Sequence, residues 1–144
     1  MHKVLVLNGP NLNRLDLRDK SHYGSMNYEE LTEYVTKSGR DLGLEVEMRQ
    51  TNQESTMIEW LQDAAQSNTP VIINPAAFTH YSYAIRDAAE LIKAPIIEVH
   101  LSNPLAREEF RHTSVISGIA TGTIAGFGPN SYGLALQALS KLLP

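Results

Sequence analysis

Five short apolar runs recur along this chain, four of them followed by a segment with helical spacing, and that alternation excludes most folds. The runs are VLVL (4–7), LEVEMR (44–49), VIIN (71–74), PIIEVHL (95–101) and a Gly-rich fifth inside GIATGTIAGFG (118–128). Between them, YEELTEYVTKSGRDLGL puts Leu31, Tyr34, Val35 and Leu42 on one helical face, with Asn27 and Glu30 placed to form a capping box. STMIEWLQDAAQS spaces Ile58, Leu61, Ala64 and Ala65 in the same way, and Asn68 is suited to end that helix. YSYAIRDAAELIK carries a stripe of Ile85, Ala88, Ala89 and Ile92, and SYGLALQALSKLL one of Tyr132, Leu136, Leu139 and Leu143.

Strands that alternate with helices form a parallel sheet covered on both faces. At 144 residues the chain is expected to be one catalytic-sized domain spanning 1–144. The leading architecture is a flavodoxin-like three-layer α/β sandwich with a five-stranded parallel sheet in the order 2-1-3-4-5. A formal charge of −4, from 16 acids against 12 bases without any block of like charge, argues against nucleic acid or an anionic membrane as partner. No apolar run approaches the roughly 18 residues of a membrane span, and no signal-peptide pattern is expected, so a cytoplasmic protein is the plain reading. The absence of Cys excludes disulfides, thiolate catalysis and Cys-ligated zinc.

One stretch breaks the pattern. NGPNLNRLDLRDKSHYG (8–24) joins the first strand to a helix starting near Asn27, and it is roughly three times longer than the usual 2–6 residues of such a connection. Long loops in compact domains are typically lids or binding loops, so a mobile lid is expected at about residues 12–24. In sheets of this order, ligands bind beyond the carboxyl ends of the strands, near the switch point between strands one and three. Asn8 and Asn11 lie there, as do Asn74 and His80, the latter near an expected helix start. Glu98 and His100 share one face of strand four, followed by Leu101 and Ser102. Taken singly, each residue has a bland explanation as a turn, cap or solvated side chain. Their convergence on one crevice does not.

The crevice also excludes several chemistries. A phosphoacceptor domain would need clustered carboxylates where this chain has Asn8 and Asn74, NGPNLN is a poor flavin phosphate loop, and there is no Walker loop or GxGxxG. No cluster has convincing metal-ligand spacing. Amides, histidine, tyrosine and arginines remain, which suit acid–base chemistry on a hydroxylated or carboxylated small molecule. A non-catalytic binding domain, or a lyase or isomerase acting on another cyclic hydroxy-ketoacid, stays open at this level.

NGPNLN followed by an Arg and then YG, NPAAFTHYSYAIRDA, and EVHLSNPLAREEFRH together resemble the type II 3-dehydroquinate dehydratases, in order and over essentially the whole length. The resemblance implies a cofactor-free and metal-free dehydration of 3-dehydroquinate to 3-dehydroshikimate through an enolate. It implies Tyr23 as base, Arg18 as the lid cation that stabilises the tyrosinate, His100 as general acid and Glu98 as its orienting partner. Asn11 matches the residue that holds a water at the enolate oxygen. Asn74, His80 and Arg111 match substrate-binding positions, and Leu101 and Ser102 the pair whose backbone amides hold the substrate carboxylate. Asp87 matches an acid that reaches a neighbouring subunit's site, which implies a homo-oligomer, a dodecamer built from trimers. The chain departs from the family at Arg14, Asp16, Asp19 and Lys20 in the lid, at Ala76 where Gly is common, and at Gly118 where Pro is common.

That chemistry sets a physical requirement. A free tyrosine titrates at about 10, so ionising one near pH 7–8 takes roughly 3–4 kcal/mol. A cation about 4 Å away supplies ~1 kcal/mol in water and ~4 kcal/mol at an effective dielectric of 20. A lid that carries both groups and excludes water would meet the requirement.

Overall fold

The computed structural model describes residues 1–23 and 25–144. Its sheet has five parallel strands, β1 (His2–Asn8), β2 (Leu44–Gln50), β3 (Val71–Asn74), β4 (Ile96–His100) and β5 (Gly122–Ala125), in the order β2-β1-β3-β4-β5. This is the α/β architecture the alternation of apolar runs calls for. The register places Asn8 beside Asn74, and His100 beside Ala125 one strand further out, so the polar strand ends share one edge of the sheet.

Successive side chains of a strand face opposite sides, and β1 separates two cores in this way. Val4 and Val6 join Leu31 and Val35 of the helix α2 (Tyr28–Asp41) and Tyr132, Leu136 and Leu139 of the C-terminal helix (Asn130–Leu142). Leu5 and Leu7 instead pack with Met57 and Leu61 of α3 (Glu54–Ser67) and Ile85, Ala88 and Ala89 of α4 (Tyr83–Glu90). The C-terminal helix is α5.

Local signals account for most helix ends. Asn27 and Glu30 make the reciprocal capping box, and Asn68 ends α3 in the left-handed conformation at φ 54°. Other details differ from the sequence expectation. The fully buried stripe of α3 runs through Met57, Leu61 and Ala64, leaving Ile58 and Ala65 half-buried at its flank. α4 is capped by Ser82, whose Oγ accepts the Ile85 N–H at 3.1 Å, and His80 ends a preceding 3-10 turn (Ala76–His80) instead of starting the helix.

The long connection after β1 is not irregular. It contains a 3-10 segment (Leu12–Leu17) and the one-turn helix α1 (Lys20–Tyr23). Leu12, Leu15 and Tyr23 are buried in the same core as α2 and α5, which fixes this segment against the sheet. Gly24, the last residue of the expected lid, lies outside the described residues.

Candidate active site

A cleft of about 120 Å³ opens where the ends of β1, β3 and β4 meet the connection after β1. Gly9 makes this junction possible. Its N–H donates to the Asn74 carbonyl at 2.8 Å, and a Cβ on Gly9 would lie 2.5 Å from the Pro75 carbonyl oxygen. Any larger residue would push the two strand ends apart.

Among its lining residues are Asn11, Arg18, Tyr23, Asn74, His80 and His100, joined at the β4 end by Leu101, Ser102 and Arg111. Of the residues expected at this crevice from sequence, Asn8, Glu98 and Asp87 lie outside the lining. Glu98 is fully buried directly behind His100, whose Nε2–H donates to its Oε2 at 2.5 Å. That leaves Nδ1 as the His100 nitrogen for the cleft. Asp87 is exposed on α4.

The lining holds three arginines and two histidines and no carboxylate, so this cleft is cationic in a chain that is acidic overall. Such a site favours an anion.

The chemistry concentrates on Tyr23. The guanidinium of Arg18 lies over its ring, and Arg107 Nη1 donates to its hydroxyl at 2.5 Å and to Ser102 Oγ at 3.2 Å. Arg107 Nε is buried without a hydrogen-bond partner among the described residues, its nearest acid oxygen being Glu108 Oε1 at 3.8 Å. A buried donor in that state is available to a ligand. Burial is the main influence drawing the Arg18 pKa below its ordinary value; Tyr23 opposes it, and Arg107 and Arg111 add like-charge repulsion.

The remaining polar groups are held from behind. Asn74 donates through Nδ2 to the Tyr132 hydroxyl at 2.8 Å and accepts the Ala76 N–H at 3.2 Å. Tyr132 in turn donates to Asn8 Oδ1 at 2.6 Å. Burial pushes the Tyr132 pKa up, which keeps that hydroxyl protonated and able to donate. His80 Nδ1–H donates to the Thr113 carbonyl at 2.9 Å, orienting Nε2 for the cleft. Asn11 takes up a left-handed conformation at φ 71°, tolerated by Asn better than by most residues, and its N–H donates to Asn52 Oδ1. For Glu98, burial acts to raise the pKa, but the hydrogen bond and charge of His100, with bonds from Ser117 and Thr79, outweigh it and hold the carboxyl below its ordinary value.

Comparison with known proteins places the chain in a family. The sequence model of the family described as dehydroquinase class II matches residues 2–140. The chain belongs to this family.

The class II dehydroquinase relatives are similar over nearly their full length. A 3-dehydroquinate dehydratase of Salinispora tropica is 53% identical over 138 residues, covering 96% of each chain. The crystal structure of a type II dehydroquinase from Propionibacterium acnes superposes with a TM-score of 0.96 at 52% identity, covering 98% of this chain and 97% of that one. A type II dehydroquinase from Butyrivibrio crossotus gives 0.93 at 45% identity, with 96% and 97% covered.

Of the residues in and behind this cleft, Arg107, Tyr132 and the hydroxyls around Glu98 are not expected from the sequence. Arg107 stands in AREEFRH, four residues before Arg111, in the segment that follows β4. A second arginine beyond a strand end at the switch point was the available signal. Tyr132 was legible only as a core residue of α5, because nothing in a helical stripe reveals that its hydroxyl meets two strand ends. Among the described residues, no helix is long and apolar enough to cross a membrane, and no group of three or more His, Cys, Asp or Glu is placed to hold a metal ion.

Proposed function

We propose that the chain is a 3-dehydroquinate dehydratase working by acid–base elimination, with Tyr23 as base and His100 as acid. Family membership supports the activity. The observation that carries the residue roles is the Tyr23 hydroxyl held by Arg107 beneath Arg18, in the same cleft as a His100 backed by buried Glu98.

The ionised Tyr23 oxygen takes the proton from the carbon next to the substrate ketone, and the C–H electron pair passes into an enolate. His100 then gives its proton to the hydroxyl on the β-carbon. The C–O bond breaks with release of water, and the enolate collapses to a C=C bond conjugated with the ketone. Two cations beside the tyrosine oxygen and ring supply part of the stabilisation that base requires, and exclusion of water on substrate binding would strengthen both. Asn11 would hold a water at the enolate oxygen. Arg107 Nε, together with the backbone N–H groups of Leu101 and Ser102, offers donors to the substrate carboxylate, and Asn74, His80 and Arg111 to its hydroxyls and anionic face.

Residues 12–24 would act as a lid whose docked form holds Tyr23 and Arg18 in place. Asp87 would serve a neighbouring subunit of a homo-oligomer, a dodecamer built from trimers. Exposed Asp87 lies on α4, next to Tyr81 and Tyr83 at its start, and Phe110 packs edge-on against His80; these three aromatics are at least 58% exposed, which supports an interface there.

The test is ultraviolet absorbance with 3-dehydroquinate in the presence of a chelator. The enone product absorbs where the substrate does not, so absorbance should rise at an undiminished rate. No rise, or a rise abolished by chelation, refutes the reading.

A further inference from the structure

Three hydroxyl groups from outside β4 converge on Glu98. Thr79 Oγ1, in the 3-10 turn after β3, donates to Oε2 at 2.6 Å. Ser117 Oγ, before β5, donates to Oε1 at 2.6 Å, and Ser114 Oγ lies 3.1 and 3.0 Å from the two oxygens. Ser114 Oγ already accepts the backbone N–H groups of Ile116 and Ser117, so its own hydrogen is left to donate, to Glu98 or to Thr79 Oγ1 2.6 Å away. Thr79, Ser117 and His100 therefore all donate to this carboxylate, and Ser114 does so when its hydrogen is not given to Thr79.

A buried carboxylate next to a histidine has two ways to hold their shared proton. One is an imidazolium–carboxylate pair; the other is a neutral pair with the proton on the carboxyl. Burial favours the neutral pair, and donated hydrogen bonds favour the charged one. The other ionisable groups that face Glu98 are His80, His112 and Arg111, which line with it a cavity of about 300 Å³. Its strand neighbours across the sheet are Ile73 and Thr123, which carry no charge. The Arg111 Nε–H donates to Glu108 Oε2 at 3.1 Å, away from Glu98. The hydroxyls are the direct contacts that decide between the two forms.

We propose that Thr79 and Ser117, with Ser114 between them, are positioning residues that hold Glu98 as a carboxylate and so keep the shared proton on His100. The inference rests on the reading of His100 as the acid. A neutral imidazole whose proton had moved to Glu98 would be a poor donor to a leaving hydroxyl. The hydroxyls never touch substrate and act through Glu98 alone.

The experiment uses enzyme labelled with ¹³C at the glutamate carboxyl carbons, with the Glu98 signal assigned by its loss in Glu98→Gln. Thr79→Val and Ser117→Ala should each raise the pH at which Glu98 titrates by about one unit, the scale of one hydrogen bond to a charge. Each should lower kcat roughly tenfold while KM stays within about twofold. Thr79→Ser and Ser117→Thr, which keep the hydroxyl, should titrate like the parent. An unmoved Glu98 signal in both hydroxyl-free variants overturns the proposal, because a merely structural role would lower stability without shifting that titration. His100→Gln separates the two layers: if it keeps full turnover, the acid assignment fails, while the Glu98 titration in Thr79→Val and Ser117→Ala still decides what the hydroxyls do.

Discussion

The Arg18 guanidinium lies over the Tyr23 ring, its carbon 3.6 Å from the ring centroid, while Arg107 takes the hydroxyl. The two arginines thus do different work on one side chain. Tyr23→Phe keeps the ring contact and should keep the fold, but turnover should fall by several orders of magnitude. Arg107→Met removes the cation bonded to the oxygen itself, and should cost turnover at least about tenfold. Arg18→Met should cost less and should loosen residues 12–23. Steady-state rates on all three variants check this; near-normal turnover in Tyr23→Phe would sink the base assignment.

Tyr132→Phe leaves the Asn8 and Asn74 amides without the hydroxyl that joins them. Burying unpaired polar groups costs about 1–3 kcal/mol, so urea unfolding should report a loss of that size. Asn74 would also be freer to turn, so KM should rise more than kcat falls. An unchanged KM would leave Tyr132 with a purely structural part.

Ala76 stands at φ 53°, a conformation in which its Cβ is strained. Ala76→Gly removes that strain, worth about 1–2 kcal/mol, against a glycine entropy cost of about 0.5–1 kcal/mol. The net expectation is a stabilisation of about 0.5–1 kcal/mol, seen as a higher denaturation midpoint. A lower midpoint would contradict it.

The depressed Glu98 pKa makes folding depend on pH with a definite sign. Because the folded value lies below the ordinary 4.5, the ionised carboxylate contributes stability that is present above 4.5 and is lost as pH falls through the folded value. Glu98→Gln should therefore flatten the acid side of the stability curve. Equal slopes in parent and variant below pH 4.5 would show that other groups govern it.

Assembly is testable through Asp87. Light scattering should give a mass far above 16.0 kDa, and Asp87→Ala should weaken substrate binding while leaving the Tyr23 and His100 chemistry in place. A fully active monomer would return Asp87 to solvent.

The sheet order was readable because β-branched runs and helical stripes leave few ways to bury both faces of five strands. The strand-end residues were readable for the same reason: topology alone carries Asn74 and His100 to one edge. Arg107, Thr79 and Ser117 were not, since they reach the site through loops whose paths depend on tertiary contacts such as Val115 N–H to the Thr79 carbonyl. The connection after β1 was visible as an anomaly of length, but its helical turns were hidden. Leu12 and Leu15 are the apolar residues that dock it, in a segment otherwise crowded with polar ones.

That docking has a thermodynamic consequence. Leu12, Leu15 and Tyr23 share a core with the sheet and two helices, so lifting residues 12–23 wets apolar surface, as partial unfolding does. Exposure of that kind carries a positive heat-capacity change. The balance between docked and lifted forms should therefore curve with temperature, and concentrations of urea too low to unfold the protein should shift it. Turnover would then bend in an Arrhenius plot without any change in the chemical step.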